Sequence, residues 1–303
     1  MPSDPCVRVI ILNFNQPDLT LECCKSVVSQ QYSNYQVMVV DNGSSEENVS
    51  ILKEAIPENV FLIRSMKNLG YAKGNNLACG FYDGVLPEYY FVLNNDTILE
   101  DKLTIQKLIK SFNEVEEPCA VVVPLVDTLS SVNDVYNQIQ GRKLLPTYQL
   151  IISHSAILSK IGYGKKIADS FIYKNLMPYE KNRYYNVDCI SGAAFVIKAG
   201  YCLEDKIFDE NTFLYFEEII LAEQLYLRKL KSYINTSVIV KHYQGMTTGR
   251  RGKKIPYKWF LHGLESELYF YKKFRNVNSI TLSFIKGLKF FEYYLKKIIF
   301  NGV

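Results

Sequence analysis

Short apolar runs and stretches of helical periodicity alternate along the first hundred residues. Val7 to Leu12 is apolar apart from Arg8, the pattern of a parallel strand buried on both faces. Asp18 is placed to cap a helix reaching about Gln30, in which Leu19, Cys23 and Val27 recur every fourth residue. Val37–Val40, Val60–Ile63 and Tyr90–Leu93 predict three more strands, and Gly70 to Phe81 a helix entered through a glycine turn. This rhythm predicts an α/β fold with an open, mostly parallel sheet and right-handed crossovers. Further on, the pattern predicts a helix from Asp101 to about Phe112 and strands at Ala120–Val126, Ala193–Ile197 and Val238–Val240. A helix from near Glu217 to about Leu230 precedes the last of these strands. Residues 127–188 lack periodicity and read as loops and short elements, whereas the chain from Pro256 onward reads as helical.

The polar residues matter most where the strands end. The first ends in Asn13, Phe14 and Asn15, the second in Asp41 and Asn42, the fourth in Asn94, Asn95 and Asp96. One such end is ordinary turn chemistry. Three of them on one sheet edge favour a ligand site, because open α/β sheets bind ligands at the carboxyl ends of their strands. Asp96 could hold Mg²⁺ or Mn²⁺, which prefer carboxylate, phosphate and water oxygens, or it could cap the next helix with Thr97. Glu217 and Glu218 open a helix, where a carboxylate is favoured by the dipole and could also act as a general base. His242 ends a strand ahead of Gly245, Thr247 and Thr248. Its imidazole could ligate a metal, donate to a phosphate, or be structural. Asp41 could accept from a nucleobase N–H and Phe14 could stack on that base.

Composition narrows the classes. The chain of 303 residues is 48% hydrophobic and 22% charged, enough for a full core. A net charge of +4 does not argue for nucleic-acid binding. Seven scattered cysteines without a C-x-x-C pair argue against a structural zinc site and fit a reducing compartment. With no basic-then-apolar leader and no span-length apolar run, the expected location is cytoplasmic. In the last segment, Phe284, Leu288, Phe291, Leu295 and Ile298 share one helical face, opposite Lys286, Lys289, Lys296 and Lys297. That helix could lie on an anionic membrane surface or pack on the rest of the chain with a solvated lysine face. Tyrosine-rich composition, 23 residues, is compatible with a sugar-lining surface or with mere bias.

The ordered motifs carry a resemblance. Val9-Ile10-Ile11-Leu12-Asn13-Phe14-Asn15 and Val39-Val40-Asp41-Asn42-Gly43-Ser44-Ser45 come first. Asn68-Leu69-Gly70-Tyr71-Ala72-Lys73-Gly74-Asn75-Asn76 and Leu93-Asn94-Asn95-Asp96-Thr97 follow. Then come Ser191-Gly192-Ala193-Ala194-Phe195, Phe208-Asp209-Glu210, Phe213-Leu214-Tyr215-Phe216-Glu217-Glu218 and His242-Tyr243-Gln244-Gly245. From about Arg8 to Thr248 the chain resembles the family-2 glycosyltransferases of GT-A fold, most of all the branch of bacterial rhamnosyltransferases and related O-antigen or capsule enzymes. The resemblance implies a Rossmann-like sheet flanked by helices. It also implies a GT-A domain over 1–250, with a nucleotide-binding half to about 100 and an acceptor half over 101–250, and a basic helical extension over 251–303.

The resemblance further implies roles. Asp41 matches the reader of the pyrimidine edge, with Phe14 near the ring and Asn13 and Asn15 at the same strand end. Asn68, Gly70 and Asn75 match the segment beside nucleotide and donor sugar. Asn94 and Asn95 with Asp96 stand at the family's D-x-D end, Asp96 ligating the divalent cation. His242 matches a histidine near the diphosphate, and Glu218 the catalytic base. Two departures stand out: the usual Glu-Asp pair is Glu217-Glu218, and Ile220 occupies a position often held by another Asp. The implied reaction is inverting transfer from a nucleotide-sugar, dTDP-rhamnose or a UDP-hexose, to a glycan hydroxyl, lipid-linked and destined for bacterial surface polysaccharide. The alternatives are a catalytically impaired nucleotide-sugar-binding protein, kept open by Ile220, and a nucleotidyltransferase, whose Gly- and Lys/Arg-rich phosphate loop is missing from Asn13 to Leu19.

Overall fold

The structure, a computed structural model, describes residues 4–82, 84–128, 134–243 and 256–301. Gln244, Gly245, Thr247, Thr248 and the boundary expected at 250–251 lie outside these residues. The first half runs β1 (Val7–Asn13), α1 (Pro17–Val28), β2 (Tyr35–Asn42), α2 (Glu46–Ala55), β3 (Val60–Ser65), α3 (Tyr71–Cys79), β4 (Tyr89–Asn94), β5 (Thr97–Ile98), α4 (Thr104–Ser111) and β6 (Cys119–Asp127). The second half runs β7 (Gly141–Arg142), α5 (Thr147–His154), α6 (Gly162–Ser170), β8 (Tyr184–Val187), β9 (Cys189–Ile190), β10 (Ala194–Lys198), α7 (Glu217–Leu227), β11 (Lys231–His242), α8 (Tyr257–Phe274) and α9 (Ser279–Asn301).

The main sheet has the order β3-β2-β1-β4-β10-β6-β11-β5, with β8 also paired to β11. β1, β2, β3 and β4 are mutually parallel, as are β6 and β11. β10 runs antiparallel between β4 and β6. The chain moves outward from β1 to β3 and then returns across β1 to lay down β4. The strand order therefore reverses at the β1/β4 gap, which is where such sheets open a crevice.

Alternation along β1 builds two cores. Val7, Val9 and Ile11 face a layer containing Cys23, Val27, Ile105 and Leu108. Ile10 faces the other way, into a layer with Met38, Ala72, Phe195 and Leu221. Arg8 interrupts the apolar run yet is only 1% exposed. Its guanidinium donates to Gln36 Oε1 and to the carbonyls of Ala78 and Phe81 where α3 ends, and a helix C-terminus favours a cation. All seven cysteines are free thiols.

Several elements differ from the sequence pattern for identifiable reasons. Gln16, not Asp18, is the N-cap of α1, because Pro17 takes the first helical position and leaves Asp18 in the first turn. β11 starts seven residues before Val238. Its first half was hidden by Ser232, Asn235 and Thr236, which are buried but hydrogen-bonded: Asn235 donates to Ser111 Oγ at 2.8 Å and Thr236 to the Glu180 carbonyl at 2.7 Å. The aperiodic 127–188 stretch does consist of short elements, including α5 and α6.

α8 and α9 pack on the sheet domain through a third core of Leu150, Ile167, Ile220, Phe270, Tyr271 and Ile285. Buried ion pairs support it, Lys289–Glu267 at 2.8 Å and Arg275 with Glu223. Lys289 also donates to the His154 carbonyl at 2.8 Å, so it does not share the solvated face expected for it. Phe284, Phe291 and Ile298 are exposed, at 65%, 59% and 71%.

Candidate active site

A cavity of about 700 Å³ opens at the carboxyl ends of β1 and β4, within the ~300–1,000 Å³ range of small-molecule sites. Its lining falls into three groups: an amide end with Phe14, Asn42 and Asn68, a cluster of Asn94, Asn95, Asp96 and His242, and an acid end with Glu217, Glu218 and a run of aromatics.

The β1–β2 end is built from interlocking amides. Asn13 donates to Asp41 Oδ1 at 2.9 Å and to Ser44 Oγ at 3.1 Å, and accepts from Gln16 N and Thr20 Oγ1. All four of its hydrogen-bonding positions are therefore used inside the protein. Asp41 is fully buried and also lies 3.8 Å from Arg64 Nε. Asn13 and Asp41 thus form the support of this end, and the residue of that strand end that faces the cavity is Asn42. Asn42 donates to Asn68 Oδ1 and the Gly70 carbonyl and accepts from Leu69 N. Asn15, with φ 55°, accepts from Ser45 N and Asn48 Nδ2 at the rim. Asn75 is fully buried and donates to the Tyr71 carbonyl. It is not among the residues lining the cavity.

Register delivers the middle of the site. β11 pairs with β5 so that His242 stands opposite Thr97. Its Nε2 lies 3.0 Å from Asp96 Oδ1 and 3.5 Å from Asn94 Nδ2. Among the described residues no group of three or more His, Cys, Asp or Glu side chains is placed to hold a metal ion. Asp96 and His242 nevertheless supply one carboxylate and one imidazole on the cavity wall. That pair fits a divalent cation whose other positions are filled by phosphate and water oxygens.

The acid end depends on a strained loop. Tyr215 and Phe216, at φ 69° and 70°, are consecutive non-glycine residues in the left-handed region directly before α7, a cost of roughly 1–3 kcal/mol each. The loop is held from both sides. The Phe213 carbonyl accepts from Tyr71 N at 2.8 Å, and a Cβ on Gly70 would lie 2.3 Å from that carbonyl oxygen. From α8, Ser266 Oγ donates to the Leu214 carbonyl at 3.0 Å, Tyr269 donates to Asp209, and the His262 ring stacks on Phe213 at 4.1 Å. A Cβ on Gly263 would lie 3.1 Å from the Tyr215 ring. The Phe216 ring packs against His154 and Phe270. Burial is the chief cause holding His154 far below the usual imidazole range, at about 3.

Glu218 fits because residue 192 is glycine: a Cβ there would lie 2.3 Å from Glu218 Oε1. Glu217 is 4% exposed, and its Oε1 has no hydrogen-bond partner among the described residues. Burial, and next the charge of Glu218, push Glu217 above the usual carboxylate range. Glu217 therefore holds its proton more tightly than an ordinary carboxylate. Tyr71 donates to the Gly192 carbonyl at 2.9 Å. Burial first, then Glu218, Glu217 and Asp96, push its hydroxyl well above the ordinary range. Ile220 is 1% exposed in the third core and does not line the cavity.

The structure thus brings Phe14, Asn68, Gly70, Asn94, Asn95, Asp96, Glu218 and His242 to one cavity and places Asn13, Asn15, Asp41 and Asn75 around it. Sequence reading missed Arg142, from β7, and Trp259, from α8, which also line it. No local pattern marks either residue. Gly192 and Tyr71 were visible within quoted motifs, but their contacts with the acid end were not.

A model of glycosyl transferase family 2 matches residues 8–187. An uncharacterized glycosyltransferase of Haemophilus influenzae is 27% identical over 100 residues, 32% of this chain and 30% of its own. One of Rickettsia conorii is 26% identical over 104 residues, 34% of this chain and 17% of its own. The matched stretches are therefore less than a third of either relative. Among solved structures, a mannosyltransferase of Pyrobaculum calidifontis in complex with GDP-Man and Mn²⁺ superposes with a TM-score of 0.56 at 15% identity, over 97% of this chain and 72% of that one. GalNAc-T7 with UDP, GalNAc and Mn²⁺ gives 0.58 at 14% identity, over 94% and 54%. These likenesses establish the GT-A fold.

Proposed function

The chain belongs to glycosyl transferase family 2, and from that premise we propose that the cavity binds a nucleotide-sugar and transfers its sugar to a glycan hydroxyl with inversion. The observation that carries the reading is the convergence of the Asp96–His242 pair and the Glu217–Glu218 helix start on one cavity, although Asp96 lies more than a hundred residues before Glu217 in sequence. Asn42, Asn68 and Phe14 would hold the nucleoside. Asp96 and His242 would hold a divalent cation, which when bound offsets charge on the diphosphate. Glu218 would take the proton of the attacking hydroxyl, while Glu217 stays protonated beside it. Tyr71 fixes the Gly192 turn against which Glu218 rests. Because Ile220 lies in the third core, its replacement of an acid takes nothing from the cavity wall.

The donor is dTDP-rhamnose or a UDP-hexose in this reading, and the acceptor a lipid-linked glycan of a bacterial surface polysaccharide. Membrane contact through α9 is supported by the exposed Phe284, Phe291 and Ile298, with exposed Lys286 and Lys297 nearby. Among the described residues no helix is long and apolar enough to cross a membrane. Deleting α8 and α9 would break the third core, so the test is Phe284→Ser with Phe291→Ser and Ile298→Ser. Sedimentation with anionic vesicles should fall in this variant; equal sedimentation would remove membrane contact from the proposal. For the reaction, release of nucleoside diphosphate is measured across a donor panel with Mn²⁺. At least one donor should turn over, and saturable binding without turnover of any would favour a binding protein.

A further inference from the structure

The lining of the cavity is of two kinds. Amide side chains dominate where β1 and β2 end, whereas Phe213, Tyr215 and Trp259 line it together with Glu218. Trp259 comes from the first turn of α8 and is half-buried. The other two aromatics are fixed by the same helix: Phe213 is stacked on His262, and Tyr215 lies against Gly263. None of the three carries a charge. A flat, uncharged aromatic surface suits a pyranose, whose axial C–H groups give it an apolar face while its hydroxyls point outward from the edge.

We propose that Trp259, with Phe213 and Tyr215, forms the subsite for a neutral pyranose ring of the acceptor. The inference rests on the glycosyl-transfer reading. With the nucleoside at the amide end and the diphosphate at Asp96 and His242, the acceptor oxygen must approach the anomeric carbon from the side away from the diphosphate. The new bond joins that oxygen to the anomeric carbon, and the bond from that carbon to the diphosphate oxygen breaks. The electron pair leaves with the diphosphate and the proton passes to Glu218. A ring lying on Trp259 presents its edge hydroxyls towards the acid end of the cavity. α8 would then serve the site twice, by holding the acid loop and by supplying the acceptor platform.

Trp259 is the chain's single tryptophan, so its emission reports this subsite without labelling. The full chain is first saturated with Mn²⁺ and whichever of UDP, dTDP or GDP binds. The methyl glycosides of rhamnose, glucose, galactose and N-acetylglucosamine are then titrated in turn. At least one should shift the emission saturably and shield Trp259 from acrylamide. In Trp259→Phe, the acceptor KM should rise roughly tenfold while nucleotide affinity holds. Full shielding by nucleotide alone would place Trp259 on the donor side and overturn the proposal. So would the absence of any glycoside effect, or an unchanged acceptor KM in Trp259→Phe. Failure of all three nucleotides to bind would strike the transfer reading itself, a result distinguishable from failure of the subsite.

Discussion

The amide end and the acid end of the cavity are held in opposite ways. At the amide end, Asn13, Asn42 and Asn68 lock neighbouring strand ends together through hydrogen bonds of 2.9–3.2 Å. The parts come from β1, β2 and the entry to α3, all within one parallel unit. At the acid end, the loop before α7 carries two left-handed aromatic residues and relies on α3 below it and α8 beside it. The difference teaches that the amide end is set by contacts within one parallel unit, while the acid end depends on helices remote in sequence. Substitutions at the two ends should therefore fail differently.

The largest effect is expected at the acid end. Glu218→Gln should lower transfer by about 10²–10⁴-fold with donor affinity retained; near-normal turnover would remove Glu218 as the base. Next is the contact that joins the two ends. Gly70 has φ 86° and faces the Phe213 carbonyl, so Gly70→Val should destabilise the protein by about 3 kcal/mol or more. Denaturant unfolding reads this, and a loss below about 0.5 kcal/mol would mean that the loop does not seat on α3 as described. Ser266→Ala should cost about 1 kcal/mol and lower kcat without changing nucleotide affinity. If both held at wild-type values, the α8 clamp would be dispensable.

The smallest effect concerns pH. Glu217 binds its proton more tightly folded than unfolded. As pH rises out of the ordinary carboxylate range, the unfolded chain ionises first and stability falls. Glu217→Gln should flatten that fall in a thermal-unfolding series. His154 works with the opposite sign. Its folded pKa of about 3 means that stability falls as pH drops from about 6.5 towards 3, because the unfolded chain takes the proton first. An unchanged pH profile in Glu217→Gln would show that this carboxyl is hydrated rather than buried.

The same contrast decides what could be read from the sequence. β1, β2, β3, α3 and β4 announce themselves through apolar runs and punctuating glycines, and their polar ends mark the crevice. Asp96, Glu218 and His242 could be named from motifs, but their meeting could not. His242 reaches Asp96 only because β11 pairs with the two-residue β5, an element too short to leave a pattern. Asp41 and Asn13 look like ligand residues in sequence; the buried hydrogen bond that joins them could not be read there. Arg142 and Trp259 come from an aperiodic stretch and from the turn that opens a helix. Only tertiary packing makes them cavity residues.

The central claim is that Asp96 and His242 form the metal-dependent nucleotide site. Calorimetric titration of UDP, dTDP and GDP with Mn²⁺, repeated with chelator and with Asp96→Asn, tests it most directly. Saturable binding of at least one nucleotide, lost on chelation and in the variant, is the expected result. Equal affinity in all three conditions would contradict that assignment.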